Sequence, residues 1–380
     1  MVKLNRVEII GAGPAGLYSA ILLKSTMPAL HVRVSEQNPA DATFGFGVVF
    51  SDQALDFLRS DDAETHALIT PHMQTWRNMT LSLQGEPVTL DGIGFSSLGR
   101  LQLLQLLQQR ARQLGVEMRF EHTADSIAEV EANADLVIGA DGLNSLLRRG
   151  NESAFEARMD YFANHFAWFG TTRVFDTLTQ TFLRSEQGVF NAHHYRYSPQ
   201  MSTFIVECDQ QSFDAYGFAD MNELESAGVC EHLFAETLQG APLLTNKSHW
   251  RQFPRLWCDN WVVGKRVIIG DAAHTAHFSI GSGTRLALED AIALSTALQQ
   301  QDDLHSALQD FQARRQPIAR KIVDAANTSA AWYDDFRGKM SLPAMEFAFS
   351  YLTRSGRVDL QRLRQLSPAF IADYEAGLRG

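Results

Sequence analysis

The chain has 380 residues, 45% hydrophobic and 20% charged, which is ordinary globular composition and long enough for two lobes sharing one continuous core. Its 33 Lys and Arg are dispersed among 44 Asp and Glu, giving a formal charge of -11, so the clustered basic face of a nucleic-acid binder is not expected. Cys208, Cys230 and Cys258 are odd in number and lack CxxC spacing; neither a disulfide framework nor a metal site is suggested, and a reducing cytoplasm is expected.

In chain order, residues 7–10 read as a buried strand, 14–26 as a helix and 31–35 as a second strand, a βαβ unit of the doubly wound class. The first apolar run is broken by Gly11, Gly13, Pro14 and Gly16, and no uncharged run reaches the ~18 residues of a membrane span, so a soluble protein without a signal peptide is expected. Leucines at helical spacing mark 100–114, and 134–139 reads as another buried strand. From about Phe166 to Glu207 the period changes to two, with strands over 167–174, 188–197 and 201–207 and a Ser198-Pro199 turn, as in an antiparallel sheet. A helix is expected over 221–238, a buried strand over 267–269, a helix over 284–300, and mainly helix from Ser306. The fold class is therefore α/β with an α+β insert: a Rossmann-like nucleotide-binding domain (1–150 and 260–305), a β-rich substrate domain (151–259) and a helical C-terminal region (306–380).

Gly11-Ala12-Gly13-Pro14-Ala15-Gly16 lies between a strand and a helix, the context that makes GxGxxG a dinucleotide fingerprint. Gly11 permits the tight turn, Gly13 the approach of backbone N–H groups to a pyrophosphate, and Gly16 close helix–strand packing, with phosphate charge at the helix N-terminus. Glu36, twenty residues beyond Gly16, is placed to accept hydrogen bonds from ribose hydroxyls. This motif serves FAD and NAD alike. The segment Gly264 to His274 (GKRVIIGDAAH) sets Gly270 and Asp271 after a buried strand, followed by the loop Gly281-Ser282-Gly283 and a helix. Such an arrangement can hold a ribityl chain through Asp271 and offer helix N–H groups to a flavin carbonyl that becomes anionic on reduction.

Between them stands Gly139-Ala140-Asp141-Gly142, again after a buried strand. The three motifs in this order resemble the para-hydroxybenzoate hydroxylase class of single-component flavoprotein monooxygenases, and the resemblance spans the chain. It implies an FAD-binding domain in which Asp141 serves flavin and nicotinamide and Arg100 contacts FAD. Where many members have Pro-Pro, this chain has His277-Phe278. The strings HFSIG (277–281), FGFGVV (44–49) and STFIVE (202–207) resemble the branch of salicylyl-CoA 5-hydroxylases, the monooxygenase half of anthraniloyl-CoA monooxygenase and the violacein-pathway tryptophan hydroxylase, and the aryl-CoA members more closely. The bifunctional anthraniloyl-CoA enzymes carry a second flavin domain; a reductive second step is not expected in this chain. With one GxGxxG only, NADH or NADPH is expected to visit the flavin transiently, and the sequence favours neither.

The resemblance implies hydroxylation, through a flavin C(4a)-hydroperoxide formed with dioxygen, of a ring made electron-rich by an amino, hydroxyl or indole nitrogen. The protein's task is then to exclude water and fix the ring. Phe44, Phe46, Val48, Val49 and Phe50 suit an apolar wall beside the flavin, or ordinary core. Alternation over 191–197 puts His193, Tyr195 and Tyr197 on one strand face and His194 and Arg196 on the other. His193 or Tyr195 could orient or deprotonate a ring substituent, and His277 is a third candidate by its place on the flavin loop. The relatives read His-Ala-Tyr on that strand, so the resemblance supports His193, Tyr195 and, as a substrate contact, Tyr197, while His194 departs. Lys247, Arg251 and Arg255, near Trp250 and Phe253, are candidate cations for CoA phosphates. The expected substrate is an aryl-CoA thioester, the alternative a free indole or aryl-acid metabolite; no nucleic-acid or membrane partner is expected.

Overall fold

The structure, a computed structural model, describes residues 1–51, 56–123 and 126–378. Runs such as Val7, Ile9 and Ile10, or Leu136, Val137 and Ile138, are buried throughout, as a parallel sheet covered on both faces demands. They form a six-stranded sheet in the order Val262–Val263, Arg266–Ile268, Leu136–Gly139, Arg6–Ile10, His31–Ser35 and Glu117–Arg119, parallel except at its first pair. The helices Pro14–Thr26 and Gly283–Gln300 pack together against it, and Leu304–Asp334 packs on the latter.

The second sheet runs Leu243–Leu244, Ala157–Thr171, Ser202–Cys208, Val189–Arg196, Leu178–Arg184, Met79–Leu83 and Glu86–Leu90, with Arg251–Cys258 paired to Ala157–Thr171. Its back face, with Phe169, Phe190, Phe204 and Val206, is covered by the helices Gln210–Tyr216 and Glu223–Leu233. The alternate residues of the same strands, including Trp168, His193, Tyr195, Thr203 and Glu207, form the front face. A third small sheet joins Gly47–Ser51, Phe95–Gly99 and Gln74–Trp76.

The strand expected over 167–174 is Ala157–Thr171, ten residues earlier at its start. Residues 157–161 are mostly exposed because they form a ribbon with Arg251–Cys258, and that polarity hides the strand from a core-seeking pattern. The helix expected over 221–238 is two, Glu223–Leu233, opened by an Asn222–Glu225 capping box, and Ala235–Leu238. Sequence reading placed residues 79–90 with the nucleotide-binding part, whereas their strands extend the second sheet. Among the described residues no helix is long and apolar enough to cross a membrane.

Beneath the parallel sheet's C-terminal edge lies a fully buried charged network. Asp290 accepts from the Gly270 backbone N–H at 2.9 Å and from Arg315 Nε at 2.7 Å, and its Oδ2 lies 2.9 Å from His274 Nε2. Arg315 and His274 hold the Asp290 carboxyl below its ordinary range despite burial. Removing one partner of a buried ion pair leaves the other uncompensated, which costs about 3–5 kcal/mol. Asp290→Ala is therefore expected to lower unfolding free energy by that amount in denaturant titration. A loss under about 1 kcal/mol would show that the network is not a structural anchor.

Candidate active site

Four motifs end at one edge of the parallel sheet, because each follows the C-terminal end of a strand. At Gly11 the backbone has φ +101°, and a Cβ there would lie 2.4 Å from the Ala140 carbonyl oxygen. At Gly16 a Cβ would lie 2.0 Å from the Gly11 carbonyl oxygen, so the first turn of Pro14–Thr26 is seated directly on the loop. Gly13 is the N-cap, Pro14 takes the first helical position and Ala15 is buried. Glu36 accepts from Ala12 N–H through Oε2 and from the Asn38 backbone and side chain through Oε1, so it fastens the fingerprint loop.

Asp141 accepts from Leu146 N–H at 2.6 Å through Oδ2, while its buried Oδ1 has no hydrogen-bond partner among the described residues. Arg148, which sequence reasoning left without a role, donates to the Ala272 and Leu143 carbonyls and ties this segment to the Gly270-Asp271 turn. Asp271 is exposed to the cleft yet enclosed enough that desolvation raises its carboxyl, with His274 and Arg100 opposing. Arg100 opens the helix Arg100–Gln113, and its buried Nε has no hydrogen-bond partner among the described residues. Gly281 abuts Val49, and Gly283 begins Gly283–Gln300. Among the described residues, no side chain caps the N-terminus of that helix or of Pro14–Thr26. Two uncapped helix N-termini, an acceptor without a donor and a cation without a full set of acceptors fit a ligand with pyrophosphate and polyol groups, as FAD has.

The loop from Phe44 to Val49 joins this edge to the second sheet. Gly47 N–H donates to Thr203 Oγ1 at 2.9 Å and its carbonyl accepts from Tyr195 Oη at 3.0 Å. A Cβ on Gly47 would lie 2.6 Å from Tyr197 Cβ, which places Tyr197 as a wall for the loop. Phe46 lies over Gly170, and its carbonyl accepts from Arg100 N–H. Val48 and Phe50 point into the main core, whereas Val49 meets Gly281; strand alternation thus removes Val48 from the expected apolar wall.

On the front face His193 is buried, stacked on Tyr333 at 5.2 Å and edge-on to Phe278 at 5.2 Å. Its Nδ1 lies 2.6 Å from Gln180 Nε2, and its Nε2 lies 3.6 Å from Glu207 Oε2. Burial lowers the His193 imidazole to about 3, and lowers that of His277 to about 4. Tyr195 is raised by burial. His277, in place of the usual proline, caps the turn Phe278–Ile280 by accepting from Ser279 N–H at 3.2 Å; Phe278 packs against Phe166. The structure thus brings His193 and His277 into one aromatic cluster, with Tyr195 on the same strand face. His194 departs harmlessly, because it lies on the back face between Phe175 and Phe204. Tyr333, Gln180, Asn164 and Glu207 were missed by sequence reasoning. Glu207 alone had a signal, a charged residue at the front-face period of an otherwise apolar strand.

Of the three candidate CoA cations, Lys247 lies 4.2 Å from the Phe44 ring and Arg251 lies 5.2 Å from that of Phe166, both exposed at the rim. Arg255 is paired with Asp160 across the ribbon, so its charge is already neutralised. Trp250 turns away from them and packs on Phe218 behind the sheet.

Residues 5–326 match the family model described as an FAD binding domain, and the chain belongs to that family. It is 40% identical over 361 residues to a salicyloyl-CoA 5-hydroxylase of Streptomyces sp, covering 92% of this chain and 70% of that protein. Identity is 32% to a 3-hydroxy-4-methyl-anthranilyl-(aryl-carrier protein) 5-monooxygenase of Streptosporangium sibiricum, over 94% of this chain and 96% of that one. It is also 32% to a protodeoxyviolaceinate monooxygenase of Chromobacterium violaceum, over 92% and 94%. Among solved structures, 2-methyl-3-hydroxypyridine-5-carboxylic acid oxygenase shares the fold at TM-score 0.71 and 21% identity, over 95% of this chain and 98% of that one. The protein is an FAD-dependent aromatic monooxygenase.

Gly16→Ala forces backbone apart at the fingerprint, so the purified variant is expected to hold well under one FAD per chain by absorbance; full occupancy would exclude the packing argument. The two buried histidines carry a pH prediction. Their folded values lie below the ordinary 6.5, so the unfolded chain binds protons that the native one does not, and their contribution is present above pH 6.5 and lost as pH falls toward 4. His277→Gln is expected to remove up to about 1.4 kcal/mol per pH unit from the acid slope of stability, read by denaturation between pH 6 and pH 4. An unaltered slope would mean that His277 is already charged in the native state.

Proposed function

We propose that the enzyme hydroxylates an electron-rich benzenoid ring carried as a CoA thioester, with NADH or NADPH as the reductant. The observation that carries this reading is the 40% identity to the salicyloyl-CoA hydroxylase across nearly the whole chain. Two side chains support it: Lys247 and Arg251 are exposed cations, each backed by an aromatic ring, suited to contact the phosphates of a CoA carrier.

FAD, when bound, supplies the activation of dioxygen. Its pyrophosphate would lie at the Gly11–Gly16 turn and its ribityl chain beside Asp271, with Arg100 and Asp141 as further contacts. Phe46, Phe166, Phe253 and Phe278 exclude water from the ring. His193 and Tyr195 set the ring's orientation from the front face of residues 151–259, and His277 closes the site on the flavin side. Neutral histidines suit this role, because an imidazolium would draw water into the site and repel charge from the ring.

The deciding experiment compares NADH and NADPH oxidation with ortho-hydroxy and ortho-amino benzoyl-CoA thioesters, the free acids, carrier-protein thioesters and indoles. A CoA thioester is expected to accelerate flavin reduction at least tenfold over its free acid, and indoles acting alone would refute the thioester assignment. Asp271→Ala is expected to weaken FAD binding by about 1.5–3 kcal/mol, the worth of charge-assisted hydrogen bonds, measured by flavin fluorescence. His193→Ala is expected to keep FAD and divert reducing equivalents to hydrogen peroxide, and full coupling in that variant would return the histidine to a packing role.

A further inference from the structure

Glu207 is a buried carboxyl that the proposed chemistry leaves without a task. It lies on Ser202–Cys208 opposite Asn191 of the neighbouring strand, on the front face with Thr203 and Ile205. It is 1% exposed, so it is removed from water on every side. Asn164 Nδ2 donates to its Oε1 at 2.9 Å and also to the Tyr333 carbonyl, which holds the carboxyl in one orientation. That leaves Oε2 directed at His193 Nε2, 3.6 Å away, and neither atom has any other partner among the described residues. Gln180 donates from Nε2 to His193 Nδ1 at 2.6 Å, and its Oε1 accepts from Tyr333 Oη over a long 3.4 Å, which fixes the amide orientation. His193 therefore carries its ring proton on Nε2, toward Glu207.

We propose that Glu207 and His193 share one proton across this gap, making Glu207 a positioning residue that sets the protonation of the imidazole facing the substrate. The inference rests on the hydroxylase reading for its role in turnover, but the proton sharing itself does not require a substrate. In the reaction, a proton released from the ring's hydroxyl or amino group and taken at Nδ1, in place of the Gln180 hydrogen bond, is matched by transfer of the Nε2 proton to Oε2. The N–H bond at Nε2 breaks as the O–H bond forms, the imidazole stays neutral, and the electron pair left on the substituent enriches the ring for oxygen transfer.

The surroundings decide where the proton rests. Facing the pair are His277 from the flavin loop, Asn164 from Ala157–Thr171, and Tyr333 and Asp334 from Leu304–Asp334, with Cys208 behind on the opposite face of the strand; Arg354 acts on the two histidines from beyond them. No guanidinium or ammonium pairs with Glu207 among the described residues. Burial raises its carboxyl above the ordinary range while lowering the imidazole to about 3, so once Nδ1 has taken the substrate's proton the Nε2 proton passes to Oε2, and an imidazolium–carboxylate ion pair is disfavoured.

The test uses the FAD-loaded enzyme with Glu207→Gln and Glu207→Asp. Without substrate, thermal unfolding is followed from pH 5 to pH 9. A raised folded value means that the contribution of Glu207 is present below its unfolded value near 4.5 and is lost as pH rises through the folded one. The wild type is expected to lose stability relative to E207Q as pH rises; a parallel course would overturn the proposal whatever the substrate proves to be. With a substrate that stimulates NAD(P)H oxidation, product per nicotinamide is expected to fall at least tenfold in E207Q, with loss of one limb of the wild-type pH profile. E207D keeps the acid one methylene short and is expected to restore part of the yield and the limb, displaced in pH. Should E207Q fail to fold, E207D carries the comparison alone. Wild-type coupling with an unchanged profile in either variant would refute the role in turnover, whereas absence of stimulation by every aromatic compound would count against the hydroxylase substrate reading and leave the stability result to stand.

Discussion

The docking of the Phe44–Val49 loop on the second sheet fixes the relation between the glycine turns of the parallel sheet and the front face of the second sheet. Gly47 is held from both sides of its own peptide, by Thr203 on one strand and Tyr195 on the next, with Tyr197 filling the space a side chain would need. The residue before it accepts from Arg100 N–H, so the Leu-rich helix starts from the same point. The residue two places after it abuts Gly281. A shift of this loop would therefore move Gly281, Arg100 and the His193 strand together, and because packed interiors deform little, the three keep a common frame.

Two fully buried acids show how the same burial produces opposite electrostatics. Asp290 faces a permanent cation, Arg315, and a histidine, and stays ionised as an anchor for Gly270. Glu207 faces two neutral histidines and an amide, and its carboxyl is pushed upward. The difference lies in the counter-charge rather than the depth, since a buried carboxylate needs a full positive partner to offset desolvation. Paired charge is thus concentrated behind the nucleotide motifs, where rigidity serves, whereas Glu207 has no cation paired with it among the described residues.

Local periodicity and loop chemistry made much of this legible. The glycine turn at Gly11, the strand–turn–helix around Gly270 and the alternation that separates His193 from His194 are all properties of segments a dozen residues long or shorter, and the structure shows each in its place. What escaped depends on contacts distant in sequence. Tyr333 reaches His193 from the end of a 31-residue helix whose own pattern says only that it is amphipathic. The strands over 79–90 join a sheet whose other members begin at Ala157. Val48 was misplaced because its neighbours' composition, not its side of the strand, suggested a wall. Arg255 looked like a free cation until the ribbon brought Asp160 beside it.

On the proposed reading, the aromatic cluster would recognise a substrate with an inherent limit: phenylalanines, two neutral histidines and tyrosines that already bond protein groups would recognise a ring's shape but offer few polar atoms to tell one ring from another. Shape and methylene-sized differences in an apolar pocket are worth only about 1–3 kcal/mol. Strong selectivity must then come either from a substituent that engages the His193–Glu207 pair or from atoms of the substrate that remain outside. The rim has the residues for the second: Lys247 and Arg251 sit on aromatic faces, which orient the cations without neutralising them as Asp160 neutralises Arg255. On the proposed reading, binding energy gathered at these cations is available to seat the ring, so that the same core could serve differently carried aromatic rings among relatives while the rim decides which carrier is admitted.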